Sequence, residues 1–232
     1  MIEIKDLCVS YGNHAVLKSL NLNLEQGKIH GLAGLNGSGK STLLNTLFGF
    51  VEPDSGSISV NGKALDTNKI GYLETQNYLY HRLKIREYVG LFARSTSSET
   101  KSFDLNGWLE LFSLSGEEFT EELSTGMRKK VALLCLIAQN KEVLLLDEPF
   151  NGLDMESVLV LNLVLKELQK NGKTIVITSH IIETLLGNCD QIHTLVQGEI
   201  SASYFPPDFE KLNAEFLGDF VRKAGIAVSE LF

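Results

Sequence analysis

Apolar and polar positions alternate in short runs along the first sixty residues, and a turn signal closes each run. Residues 2–9 are followed by Tyr11-Gly12-Asn13, residues 15–24 by Glu25-Gln26-Gly27, and residues 58–60 lie between Pro53-Asp54-Ser55-Gly56 and Asn61-Gly62. Such runs, bounded by Gly, Asn and Pro, predict strands. Residues 29–33 form another, and a helical pattern over residues 40–50 follows it. From about residue 77 to 140 the period lengthens to that of helices, beginning at Tyr78-Leu79-Tyr80-His81. Tyr88, Leu91 and Phe92 share one face there, and Trp108, Leu109, Leu111 and Phe112 another. Residues 125–139 also read as a helix. Residues 143–146 are a fully apolar run and 174–178, Thr-Ile-Val-Ile-Thr, a second candidate for a strand buried on both faces, and residues 155–169 between them predict a helix closed by Asn171-Gly172. This alternation predicts an α/β fold with a mostly parallel sheet and a helical insertion. Behind Pro206-Pro207, the tail 201–232 sets Phe209, Leu212, Phe216, Phe220 and Val221 at helical spacing.

Composition narrows the function classes. With 232 residues and 44% hydrophobic content the chain can bury a large core. A net charge of −8 argues against a general nucleic-acid surface, which needs clustered Lys and Arg; the run Arg128-Lys129-Lys130 is the local exception. Cys8, Cys135 and Cys189 are widely separated, without CxxC or zinc-like spacing, and read as reduced thiols of a cytosolic chain. The longest apolar stretches, residues 131–138 and 143–146, fall far short of the ~18 residues that span a bilayer, and no leader precedes the first strand. A soluble chain is expected, with any membrane role supplied by a partner.

The strongest chemical signal is Gly34-Leu35-Asn36-Gly37-Ser38-Gly39-Lys40-Ser41-Thr42, placed after a strand and opening a helix. Glycines there let backbone N–H groups turn toward phosphates, Lys40 reaches the β- and γ-phosphates, and Ser41 offers a hydroxyl to Mg²⁺ at the positive end of the helix. Gly34, Asn36, Gly37, Ser38, Gly39, Lys40, Ser41 and Thr42 are therefore the expected phosphate-binding residues. A dinucleotide fingerprint fits poorly, because its third glycine position holds Thr42. Further on, Asp147 and Glu148 end a buried strand, where ligands bind in open α/β sheets. Asp147 is the candidate Mg²⁺ ligand, and Glu148 the candidate group that polarises an attacking water.

With Leu123-Ser124-Thr125-Gly126-Met127, Asn151-Gly152-Leu153-Asp154 and Ser179-His180 following in order, residues 2–200 resemble the ATP-binding subunit of an ABC transporter. The resemblance implies a P-loop NTPase fold of RecA-like type, with an N-terminal antiparallel β subdomain and an inserted helical subdomain. Residues 1–76 and 141–200 would form the nucleotide-binding core, 77–140 the helical part and 201–232 a helical tail. It implies ATP and Mg²⁺ as cofactors, Glu148 and His180 as the hydrolytic pair, and Tyr11 as the adenine-stacking aromatic. Ser124 and Gly126 would act on ATP held by a second ATPase subunit, a copy or a sibling, with Asp154 at the dimer crossing or simply capping the helix from Met155. A transmembrane permease would hold the chain at the inner face of the cell membrane. The sequence departs from the family after Ile70-Gly71-Tyr72-Leu73: Thr75 falls where a Mg²⁺-contacting glutamine is usual, and Gln76 is the alternative one residue later. The form Gly126-Met127-Arg128 resembles exporters. The competing class is a soluble, nucleotide-dependent regulatory or scaffold protein.

Overall fold

Strands β1 (Ile2–Tyr11) and β2 (His14–Leu24) bury alternate side chains, so that Ile2, Ile4, Leu7 and Val9 face the same interior as Leu17, Leu20, Leu22 and Leu24. With β4 (Ser55–Val60) and β5 (Lys63–Ala64) they form an antiparallel sheet in the order β2-β1-β4-β5. The structure is a computed structural model describing residues 1–94, 103–212 and 214. A second sheet joins β3 (Ile29–Ala33), β6 (Ile70–Leu73), β7 (Val143–Asp147), β8 (Thr174–Ser179), β9 (Gln191–Val196) and β10 (Glu199–Tyr204) in the order β10-β9-β3-β8-β7-β6. Every pairing from β9 to β6 is parallel, and only the edge strand β10 is antiparallel. Strands β3 and β8 are buried at every position, polar His30, Thr174, Thr178 and Ser179 included, as strands covered on both faces.

Two apolar clusters cover those faces. Leu43, Leu44 and Leu47 of helix α1 (Lys40–Phe48) pack with the antiparallel sheet and with Leu32, Leu145 and Val176. On the other side Ile29, Leu144 and Ile175 meet helices α2 (Ile85–Arg94), α3 (Leu105–Leu111), α4 (Thr125–Ala138), α5 (Met155–Lys170) and α6 (Ile182–Leu186). Side-chain oxygens of Asp104, Ser124 and Asp154 accept from main-chain N–H groups to cap α3, α4 and α5, satisfying amides that no preceding turn can reach.

The expected helix at residues 77–84 does not form; α2 begins at Ile85. Main-chain groups there bond sideways instead: Thr120 N–H donates to the Leu83 carbonyl at 3.0 Å, and Lys84 bridges to Phe119. Tyr78 and Tyr80 are left 84% and 76% exposed. The two predicted apolar faces are trimmed, with Tyr88, Leu109 and Phe112 buried while Leu91 and Leu111 stay in solvent. Strand β10 extends past residue 200 to Tyr204, before a turn at Pro206–Asp208 and the buried Leu212. Phe216, Phe220 and Val221 lie outside the described residues.

Candidate nucleotide site

Parallel register brings remote parts of the chain together. Ala33 at the end of β3 pairs with Ser179 of β8, and Asp147 at the end of β7 pairs with Thr178. The glycine loop, the carboxylate pair and His180 therefore leave one edge of the sheet side by side, and the segment after β6 brings Thr75 alongside Asp147. They line a cleft of about 570 Å³, where Asn36, Gly37, Gly39, Lys40, Ser41 and Thr42 face Thr75, Asp147, Glu148, Asn151 and His180.

The loop geometry depends on glycine at three points. A Cβ on Gly34 would stand 2.5 Å from the Leu195 carbonyl oxygen and 2.6 Å from Ser38 Oγ, closer than atoms tolerate. Gly37 and Gly39 have φ of +80° and +109°, a left-handed region open chiefly to glycine. Gly39 caps α1 without a side-chain hydrogen bond, and Ser38 Oγ is buried without a partner among the described residues. Lys40 is 6% exposed, and its Nζ donates to the carbonyls of Gly34 at 2.7 Å and Leu35 at 3.2 Å. Burial holds this ammonium below the ordinary lysine range, against the opposing pull of Glu148 and Asp147.

Both carboxylates are fixed by hydrogen bonds. Thr178 Oγ1 donates to Asp147 Oδ1 at 2.5 Å, and Thr75 Oγ1 donates to Oδ2 at 2.8 Å. The same Thr178 oxygen accepts from the Glu148 N–H at 2.9 Å, so one hydroxyl orients both acids. Glu148 has φ of +49°, unusual for a side chain of its size, which turns its carboxylate away from that of its neighbour. Its Oε1 lies 2.9 Å from His180 Nδ1, and Asn151 Nδ2 donates to Oε2 at 3.4 Å. The donor set suits a hard cation: the Ser41 hydroxyl and the Asp147 carboxylate line one cleft, with no thiolate or imidazole cage among the described residues. The orphaned Ser38 hydroxyl and the left-handed glycines likewise fit a group rich in anionic oxygen.

A family model described as ABC transporter matches residues 17–151. The ABC-type transporter ATP-binding protein EcsA of Bacillus subtilis is 33% identical over 212 residues, covering 87% of this chain and 86% of the relative. The chain belongs to the ABC transporter family as an ATP-binding subunit. The lantibiotic transport ATP-binding protein SrtF of Streptococcus pyogenes is 30% identical over 204 residues, with 86% and 89% covered. The solved ATP-binding subunit of an ABC transporter overlays with a TM-score of 0.82 at 29% identity, over 97% of this chain and 93% of that one. A dimeric ATP-binding cassette in a post-hydrolysis state with ADP and phosphate overlays with a TM-score of 0.78 at 25% identity, over 89% and 99%. The fold is that of P-loop ABC ATPases.

In this ABC ATPase several expected site residues do not line the cleft, Gln76 and Tyr11 among them. Gln76 Oε1 accepts from the Tyr78 hydroxyl at 2.8 Å, and the side chain lines a neighbouring cleft with Arg128 and Gly152; Thr75 holds the place beside Asp147. Tyr11 is 51% exposed at the end of β1, where its strand partner His14, together with Val16, borders the site instead. Ser124 and Gly126 open α4, and a Cβ on Gly126 would stand 2.7 Å from the Gly152 carbonyl oxygen. Asp154 caps α5 by accepting from Ser157 N–H at 2.8 Å and pairs with Lys130 at 3.0 Å. The run at 128–130 is no exposed basic patch, since Lys129 and Lys130 are 3% and 8% exposed. Sequence reasoning missed Thr178 as an orienting group, because a threonine in a buried strand reads only as a β-former. It also missed Asn151 as a Glu148 partner, although that residue sits in a recognised motif.

Proposed function

We propose that this ABC ATPase hydrolyses ATP between two copies or siblings and drives a membrane permease outward. The observation that carries the hydrolytic part is the Glu148 carboxylate, bonded to His180 and Asn151 across the cleft from Lys40. Glu148 takes a proton from the attacking water, His180 fixes the carboxylate and meets the γ-phosphate, and the water oxygen displaces ADP from phosphorus. Lys40 and the amides of residues 34–42, among them Asn36, Ser38 and Thr42, hold the phosphates. Ser41 and Asp147 would hold Mg²⁺, which when bound spreads positive charge over the phosphate oxygens. Ser124 and Gly126 of the partner subunit close the opposite side of the nucleotide, Asp154 lies near the crossing, and Tyr11 reaches adenine across the exposed end of β1.

Residues 1–76 with 141–200 act as the nucleotide-binding unit, 77–140 as the helical unit and 201–232 as an appended segment. Exposed Tyr78 and Tyr80 support a protein contact beside the site. Among the described residues no helix is long and apolar enough to cross a membrane. In this proposal the permease is a separate chain that seats the subunit on the cytoplasmic face. The Gly126-Met127-Arg128 form supports export. The test is phosphate release by wild type and Glu148→Gln, with gel filtration of each in ATP and Mg²⁺. Loss of turnover with an ATP-trapped dimer in the variant is expected; full turnover in Glu148→Gln would sink the assignment. Recovery of a spanning partner in mild detergent tests the permease.

A further inference from the structure

Within Arg128-Lys129-Lys130, Lys130 has a carboxylate partner in Asp154, whereas Lys129 has none within ion-pair distance among the described residues. Yet Lys129 is 3% exposed, and its Nζ donates to the main-chain carbonyl of Glu148 at 2.9 Å. Burying an ammonium is costly, and only the nearby charges of Asp147 and Glu148 oppose that cost here, without a direct ion pair. The contact is to a strained residue: Glu148 occupies a left-handed conformation that persists only where its surroundings hold it. Those surroundings tether the residue on both sides. Its N–H is held by Thr178 of β8, and its carbonyl accepts from Lys129 Nζ of α4 at 2.9 Å and, at 3.3 Å, from the Asn151 N–H of the following turn.

We propose that Lys129 is a positioning residue for hydrolysis, holding the Glu148 backbone so that its carboxylate stays aimed into the cleft and tying that aim to helix α4. This rests on the reading of Glu148 as the group that accepts the water proton. Helix α4 touches the segment after β7 at three places: Lys129 on the Glu148 carbonyl, Gly126 against the Gly152 carbonyl and Lys130 on Asp154. A displacement of α4 therefore carries residues 148–154 with it, and the helix that bears Ser124 governs the base of its own subunit.

Lys129→Met, Lys129→Gln and Lys129→Arg in the full chain test this beside wild type and Glu148→Gln. Steady-state hydrolysis, ATP affinity and amide hydrogen exchange across residues 144–153 are the readouts. Lys129→Met is expected to lower kcat at least about tenfold while KM and affinity stay within about twofold, and to speed exchange in that segment. Lys129→Arg is expected to restore most of both. Wild-type kcat and exchange in Lys129→Met would overturn the proposal. So would a loss of ATP affinity at unchanged kcat, which would make Lys129 a phosphate ligand. If Lys129→Met does not fold, Lys129→Gln carries the same comparison. Exchange needs no turnover, so it decides the tether even in a chain whose hydrolysis waits for a partner. Turnover surviving in Glu148→Gln would remove the role of Glu148 and leave the exchange result standing separately.

Discussion

Thr75 Oγ1 donates to Oδ2 of Asp147 at 2.8 Å, joining the segment after β6 to the strand end that carries the carboxylates. A hydroxyl on a short, β-branched stem fixes the acid from the side opposite Thr178. Thr75→Val keeps the shape and removes the donor, a loss of about 1–2 kcal/mol when a partly buried carboxylate is left with one partner fewer. The expected outcome is an approximately tenfold rise in the Mg²⁺ concentration that half-saturates hydrolysis, with metal-free ATP binding changed less than about twofold. Titrating Mg²⁺ against phosphate release, and ATP in EDTA against intrinsic fluorescence, checks both.

Gly126→Ala tests the contact between α4 and the loop after β7. The added Cβ would press on the Gly152 carbonyl oxygen at 2.7 Å, and a backbone atom cannot swing aside as a side chain can. Overpacking of this kind is expected to cost about 2 kcal/mol, or roughly 6 °C in Tm for a chain of this size. Calorimetry of the variant decides it, and an unchanged Tm would show that the two segments separate freely.

Asp154→Ala removes a helix cap and the partner of buried Lys130 together. The Ser157 contacts, followed by Lys130, hold the Asp154 carboxyl below the usual carboxylate range. A folded value depressed in this way gives stability that is complete above the unfolded value near 3.8 and is lost as pH falls through the folded one. Since the side chain is 60% exposed, the cap alone sets the scale: about 1 kcal/mol at pH 7, or some 2–4 °C. The gap between wild type and variant should persist down to about pH 4 and narrow below it, as thermal melts across that range would show.

His30 and His193 stack with ring centroids 5.6 Å apart on the neighbouring strands β3 and β9, and His193 also meets the Ser203 hydroxyl at 2.7 Å. Burial first, then His30, lowers the His193 value to about 4. The ring stays neutral in the fold while the unfolded chain takes a proton near pH 6.5, so stability is lost as pH falls from 6.5 toward 4. This loss amounts to about 3 kcal/mol for the one group. His193→Gln is expected to flatten the decline of Tm between pH 7 and 5 relative to wild type. Parallel declines would show that other groups carry the acid sensitivity.

The parts legible in the sequence were those set by neighbours in the chain. Strand β7 follows from the apolar run 143–146, β8 from the β-branched run 174–178, the loop from residues 34–42, and α5 from its Asp154 cap and its Asn171-Gly172 end. What escaped depends on residues that meet only after folding. Residues 77–84 have apolar spacing compatible with a helix, but main-chain groups of Tyr80, Arg82, Leu83 and Lys84 are taken by residues 119–121. Lys129 and Lys130 read as a solvated run, because the carbonyl and the carboxylate that receive them lie about twenty residues away. The Thr178 hydroxyl leaves no mark on strand periodicity, although it orients both acids.

The order β3-β8-β7 assembles the cleft from β3 and two strands more than a hundred residues later in the chain, with no local hairpin joining any two of them. Such contacts are reached late on a folding route, since each must first close a long loop of unstructured chain. A newly made chain thus acquires the cleft only when β8 docks between its neighbours. Nucleotide present at that moment binds the finished fold and not its precursors, and so adds RT ln(1 + [L]/Kd) to the stability of completed molecules alone.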